Sequence, residues 1–80
     1  MQAGYLFGKW IQRKLKENGT NWVINWIASK VGKTLAKAIV SRVATVGATA
    51  AAGYLATILG ANAALAGPVG AIVGAATGWL

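Results

Sequence analysis

From Val43 to Leu80 the chain carries no charged side chain, and this 38-residue silence constrains the fold more than any other feature. All nine charged residues lie between Lys9 and Arg42. A water-soluble domain usually spreads both signs over about a quarter of its residues. Here 11% are charged, 56% are hydrophobic, and eight basic residues face one acid, Glu17, for a net +7. A chain this cationic and this apolar meets either an anionic membrane or nucleic acid. Lysine-rich helices with interleaved aromatics could touch phosphates. No nucleic-acid-binding motif appears, however, and that role leaves the uncharged half without a purpose. No nucleic-acid partner is therefore expected.

Eighty residues make a single domain, residues 1–80, with a cationic, tryptophan-containing part (1–42) and an uncharged Ala/Gly-rich part (43–80). A domain of this size buries only about 60% of the surface its unfolded chain exposes. Neither cysteine nor histidine is present. With one carboxylate besides, the chain has no donor set for a metal and no general acid–base pair. Neither cofactor nor catalysis is expected. The opening "MQAGYLFGKW" lacks the basic first region and long apolar run of a secretory signal. Export would then use a dedicated transporter, proceed without a cleaved leader, or follow removal of one.

Strand-like alternation is nowhere sustained, and alanine, leucine and lysine favour helix, so an all-α chain is expected. The first helix runs from about Ala3 to Glu17. Asn18-Gly19 suits a helix C-terminus, and Thr20 can cap the next helix. That helix covers about Asn21 to Ser29 and either ends there or passes with a bend at Gly32 into a segment reaching about Val46. A further helix spans about Gly47 to Leu59, and Gly60 to Asn62 break it. Pro68 fits the first turn of a final helix ending near Trp79, where a proline loses no helical hydrogen bond. The result is a compact bundle of four or five short helices. Within it, Leu6, Phe7, Trp10 and Ile11 form an apolar arc that Lys14 interrupts, and Leu35, Ile39 and Val43 form a second stripe.

Glycine recurs every seven residues at Gly53, Gly60, Gly67 and Gly74, and every four at Gly70, Gly74 and Gly78. Glycine costs about 1 kcal/mol in a helix interior relative to alanine, so its presence wants a reason. Close approach of helix backbones, as in membrane helix pairs, supplies one. These six glycines are the candidate helix-packing residues.

Trp22 and Trp26 stand four residues apart, on one helix face. Lys9, Arg13 and Lys16 form one basic stripe, and Lys30, Lys33 and Lys37 another. Taken alone, two tryptophans at this spacing read as core residues of a small bundle. Four tryptophans exceed what one such core needs, and solvated lysine faces ordinarily mix signs. Indole suits the lipid headgroup region, which is half apolar and half hydrogen-bonding. Lysine beside it can bury its stem and keep its ammonium near phosphate. The candidate membrane-binding residues are Lys9, Trp10, Arg13, Lys14, Lys16, Trp22, Trp26, Lys30, Lys33, Lys37 and Arg42. In this reading the uncharged half is the bundle core in water and the inserting element in lipid.

The segments "MQAGYLFGKWIQRKLK" and "NWVINWIASKVGKTLAK" resemble the leaderless peptide bacteriocins of the aureocin and lacticin types, which are cationic, cysteine-free and tryptophan-rich. The segment "ATAAAGYLATILGANAALAGPVGAIVGAATGWL" is similar in style to the circular bacteriocins, small helical bundles of saposin-like shape. A join between Leu80 and Met1 would place "GWL" against "MQAGYLFG", compatible with that group. The resemblance covers the whole chain in composition and style. It implies a saposin-like bundle, secretion, killing of related bacteria by membrane permeabilisation, anionic phospholipid as partner, a possible oligomer in the membrane, and an immunity protein in the producer. The rival expectation is a resident two-span membrane protein, such as a holin-like pore former, with the basic half cytoplasmic.

Overall fold

Three glycines turn the chain. Gly19 (φ 89°, ψ 164°), Gly32 (φ 93°, ψ 159°) and Gly47 (φ 83°, ψ 169°) share one backbone conformation, which essentially only glycine adopts. In the computed structural model, which describes the backbone of residues 3–77 and the side chains of residues 3–72, each is a one-residue corner between helical segments. The order is α1 (Ala3–Asn18), α2 (Thr20–Val31), α3 (Lys33–Ala61) and α4 (Ala63–Thr77). Gly47 breaks α3 into two arms, 33–46 and 48–61. No strand occurs among the described residues. The expected all-α bundle is therefore what forms, as four helices with one bent in the middle.

So tight a corner works because each glycine serves both neighbours. The Gly19 N–H donates to the Leu15 carbonyl (3.2 Å), and the Gly19 carbonyl accepts from the Val23 N–H (3.3 Å). Gly32 repeats this with Ala28 (2.9 Å) and Ala36 (3.1 Å). The last joint uses Asn62, at φ −130° and ψ 87°. Its carbonyl accepts from the Leu65 and Ala66 N–H groups, and its amide Nδ2 donates to the Ile58 carbonyl at 2.9 Å. One side chain thereby closes α3 while the backbone of the same residue opens α4.

Two expected boundaries move. Gly19, not Thr20, occupies the N-cap of α2, and no side chain caps it. Asparagine at 62 starts α4 at Ala63, so Pro68 sits inside the helix rather than in its first turn. The proline nitrogen has no hydrogen to donate there, which removes one bond from the ladder.

α1 packs chiefly on α3. Its buried residues, Gly4, Phe7, Gly8, Trp10 and Ile11, follow helical spacing. Phe7 and Ile11 fill the centre with Val23, Ile27, Ile39, Val43, Leu55, Leu65 and Val69, all essentially without exposure. The two glycines bring backbones together. A Cβ on Gly4 would land on the Ala52 carbonyl oxygen and the Ala56 nitrogen; one on Gly8 would lie 3.0 Å from the Ala48 Cβ and 3.2 Å from Leu55 Cδ1. Ala48, Ala52 and Ala56 are spaced by four, so one small-residue ridge of α3 receives another on α1.

The core is not the property of the uncharged half. Among the described residues, fifteen apolar side chains are buried, eight before Val43 and seven from Val43 onward. Each half is amphipathic enough to contribute one wall. The expected glycine contacts also fall elsewhere: Gly53, Gly60, Gly67 and Gly70 would each meet nothing within 4 Å if given a Cβ. They lie on the outside, because Leu55, Ile58, Leu65 and Val69 occupy the inward positions. Gly74 lies in the backbone of α4 with surroundings outside the described side chains, and Gly78 and Trp79 lie outside the described residues.

Candidate membrane-binding surface

Three tryptophans from two helices form one cluster, with Trp10 as its hub. The corner at Gly19 folds α2 back beside α1, which brings Trp22 and Trp26 to Trp10. The Trp10 and Trp26 ring centroids are 4.9 Å apart with planes tilted by 54°, and those of Trp10 and Trp22 are 6.3 Å apart. Phe7 stacks on the inner side of Trp10 at 6.0 Å. Exposure grades outward: Trp10 is 8% exposed, Trp26 half-buried and Trp22 39% exposed. In this folded form Trp10, expected at the surface, is instead a core residue, and of the three rings it is Trp22 and the edge of Trp26 that face solvent. The spacing had set Trp10 beside Lys9, but adjacent helical residues point about 100° apart, and Trp10 takes the inward direction.

Lysines cap the two outer rings. Lys14 Nζ lies 5.9 Å from the centroid of Trp22, and Lys30 Nζ 5.0 Å from that of Trp26. This accounts for Lys14 within an apolar arc: its stem lies along the cluster and its ammonium reaches the Trp22 face. The same ammonium donates to Glu17 Oε1 at 3.1 Å, the sole ion pair among the described residues. Each cation–π pair at such exposure contributes about 0.5–1 kcal/mol, and the exposed i, i+3 ion pair about the same or less. Both are weak enough to be exchanged for phosphate.

The other cations stand out in solvent. Lys9, Arg13, Lys16, Lys33, Lys37 and Arg42 are all exposed. Arg42 lies on the first arm of α3 and reaches across the Gly47 corner to the second, where its guanidinium carbon sits 4.4 Å from the Tyr54 ring centroid. Beside the tryptophan cluster, an open groove of about 700 Å³ runs between α1 and the first arm of α3. Leu6, Trp10 and Val43 line it, and Lys9, Arg13 and Lys16 stand over it.

Beyond Arg42 the surface changes character. Among the described residues, the outward positions of the second arm of α3 and of α4 are Thr49, Ala50, Gly53, Ala56, Thr57, Gly60, Ala61, Ala63, Ala64, Gly67, Gly70 and Ala71, none of them charged or large. α3 is long and apolar enough, by length and composition, to cross a membrane. Among the described residues, no group of histidine, cysteine and carboxylates could hold a metal.

The cations and the two outer tryptophans were legible in the sequence as surface chemistry. Two elements of the site were not singled out there, the Tyr54 partner of Arg42 and the Gly4/Gly8 seat, whereas Gly47 was read as a helix boundary but not as a corner. Gly4 and Gly8 had a signal in their spacing of four, matched by Ala48, Ala52 and Ala56. Tyr54 had none, since a residue twelve positions away meets Arg42 only once the corner is known.

No protein-family model matches the chain, and no curated protein and no solved structure is significantly similar to it.

Proposed function

We propose that the chain is a secreted antimicrobial bacteriocin that binds anionic bacterial membranes and permeabilises them. One observation carries the reading: within α3 the positive charge ends at Arg42, and an uncharged stretch, 43–61, begins at the next residue. Those 19 residues would measure about 28 Å as a straight helix, close to the ~30 Å of a bilayer hydrocarbon core. Lys33, Lys37 and Arg42 would remain at the headgroups, each drawn to an anionic leaflet by about 1 kcal/mol. Trp22 and Trp26 would seat the same end at the interface.

Insertion requires the Gly47 corner to become helical. Arg42 and Tyr54 are then twelve residues apart along a helix, about 18 Å, and their stack is lost. The stack favours the bent form by an amount that one phosphate contact can replace. Lipid thus acts as a ligand with different affinities for two states of comparable energy. The outward glycines, unused inside the bundle, would become available for close contact with neighbouring copies, in keeping with an oligomer in the membrane. A bilayer-active product also calls for an immunity protein in the producing cell.

Dye release from vesicles tests this reading. Release from anionic vesicles should exceed release from neutral ones by about tenfold or more at low salt. Equal release from both, or none from either, contradicts it. The length of α3 equally suits a resident membrane protein, and fractionation separates the two: a bacteriocin accumulates in the culture supernatant, a resident protein stays in the producer's membrane.

A further inference from the structure

We propose that the groove between α1 and the first arm of α3 binds one molecule of anionic phospholipid, with the phosphate held by Lys9, Arg13 and Lys16 and an acyl chain laid against Leu6, Leu15 and Ala44. This rests on the membrane-directed reading above and specifies a built site within it. The groove has the size of small-molecule sites, about 700 Å³. Its lining joins two chemistries that only an amphiphile satisfies together. The three cations are spaced i, i+4, i+7 on α1, so their charged ends converge over one edge. No carboxylate lines the groove, and Glu17 is engaged by Lys14. The other face is apolar, with Leu6, Leu15 and Ala44 offering surface that a free phosphate would leave uncovered and the buried Trp10 and Val43 at its floor. An acyl chain covers it. A neutral lipid would fill the apolar face and leave the cations unanswered.

The groove also lies where capture would matter. Val43 is the residue at which α3 changes from cationic to uncharged, one residue past Arg42 and four before the Gly47 corner. Trp10 is shared between the groove and the tryptophan cluster. A lipid seated here lies over the hub of the first half and against Ala44, at the start of the uncharged segment. It would therefore precede insertion, as the first contact that is specific rather than merely electrostatic.

The test uses the full chain and dihexanoyl-phosphatidylglycerol below its micelle concentration, followed by the Trp10 indole and Val43 methyl resonances. Saturable one-to-one binding that shifts both signals is the expected result. K9Q/R13Q should weaken it by about tenfold, whereas K33Q/K37Q, which removes the same charge away from the groove, should change it less than about twofold. Adsorption to anionic vesicles should fall to a similar extent in both pairs. A44F, which narrows the groove without altering charge, should also weaken monomer capture and leave adsorption in place. Equal loss of capture from the two charge pairs overturns the proposal in favour of diffuse attraction. Inorganic phosphate saturating the same signals as tightly overturns the acyl part. Absence of monomer binding with vesicle adsorption intact overturns the groove alone, and absence of both removes the membrane reading with it.

Discussion

The two ends of the molecule are held by opposite kinds of packing. Around α2, cohesion comes from large side chains: Phe7, Trp22 and Trp26 each pack against Trp10, and lysines lie over the outer rings. Where α1 crosses the second arm of α3, cohesion comes from the lack of side chains: Gly4 and Gly8 let α1 rest on Ala48, Ala52 and Ala56. The first kind fails when atoms are removed, and the second when atoms are added. Under the proposed function the two ends differ in consequence: aromatic and cationic groups keep their value at a lipid interface, whereas the tight backbone seating of α1 on α3 would have to be undone before 43–61 could leave the bundle.

The sharpest way to break the contrast is at its hub. Trp10→Ala should cost about 3–5 kcal/mol, the range for deleting a buried large aromatic. An 80-residue domain has about 4–12 kcal/mol in total, so this variant should lose a quarter or more of its stability. Urea denaturation followed by far-ultraviolet circular dichroism measures it. A loss below about 1 kcal/mol would mean that Trp10 is not the centre of the aromatic end.

At the other end the sign reverses with the same modesty of change. Gly4→Ala adds one methyl group, and that group meets backbone atoms of Ala52 and Ala56 that cannot rotate away. It should cost about 1–3 kcal/mol, as overpacking does. Gly8→Ala should cost less, since its contacts, the Ala48 Cβ at 3.0 Å, the Ala48 Cα at 3.1 Å and Leu55 Cδ1 at 3.2 Å, are looser than those at Gly4, and the leucine can turn. Equal costs at both positions would argue that α1 shifts bodily rather than being pinned at Gly4.

How far the sequence disclosed this contrast depends on which residue is asked. Glycines and asparagine as punctuation gave the helices, because Gly19, Gly32 and Asn62 fall where the apolar stripes stop. Leu35, Ile39 and Val43 read as a stripe, and the last two are fully buried. Within the bundle, Gly53, Gly60 and Gly67 of the seven-residue glycine series make no helix contact, and their outward placement was readable locally. Gly53 is two residues before Leu55, Gly60 two after Ile58, and Gly67 lies midway between Leu65 and Val69. Two helical positions are about 200° apart, so each glycine faces away from the large residue beside it. The tryptophan cluster was legible as chemistry and not as geometry. Composition says that indole and lysine belong together, but only the corner at Gly19 determines that Trp10 goes inside and Trp22 outside.

Gly47 joins the two regions, and a substitution there should divide stability from activity. Alanine at φ 83° is strained, so Gly47→Ala should destabilise the bent form by about 1–3 kcal/mol. The same residue favours continuous helix, so vesicle leakage should be as fast or faster than with the native chain. A D-alanine at position 47 accepts the positive φ and should do the reverse, raising stability and slowing leakage. Parallel loss of stability and leakage in Gly47→Ala would show that straightening α3 is not the step that opens the bundle.

The smallest effect should come from the outward glycines, and its sign is informative. Gly53→Ala introduces a methyl group into open space and removes backbone freedom from the unfolded chain. The folded protein should gain about 0.4–1 kcal/mol, in contrast to the loss expected at Gly4. A Gly53→Ala/Gly60→Ala pair should gain roughly twice that, since the two sites lie two helical turns apart and share no partner. If copies meet through this face in lipid, the same pair should lower leakage per bound molecule even as it raises stability in water, because a methyl group holds helices apart that glycine lets touch. Unchanged leakage at higher stability would assign these glycines to the flexibility of the chain alone, and would leave Gly4 and Gly8 as the close helix contacts that the described residues support.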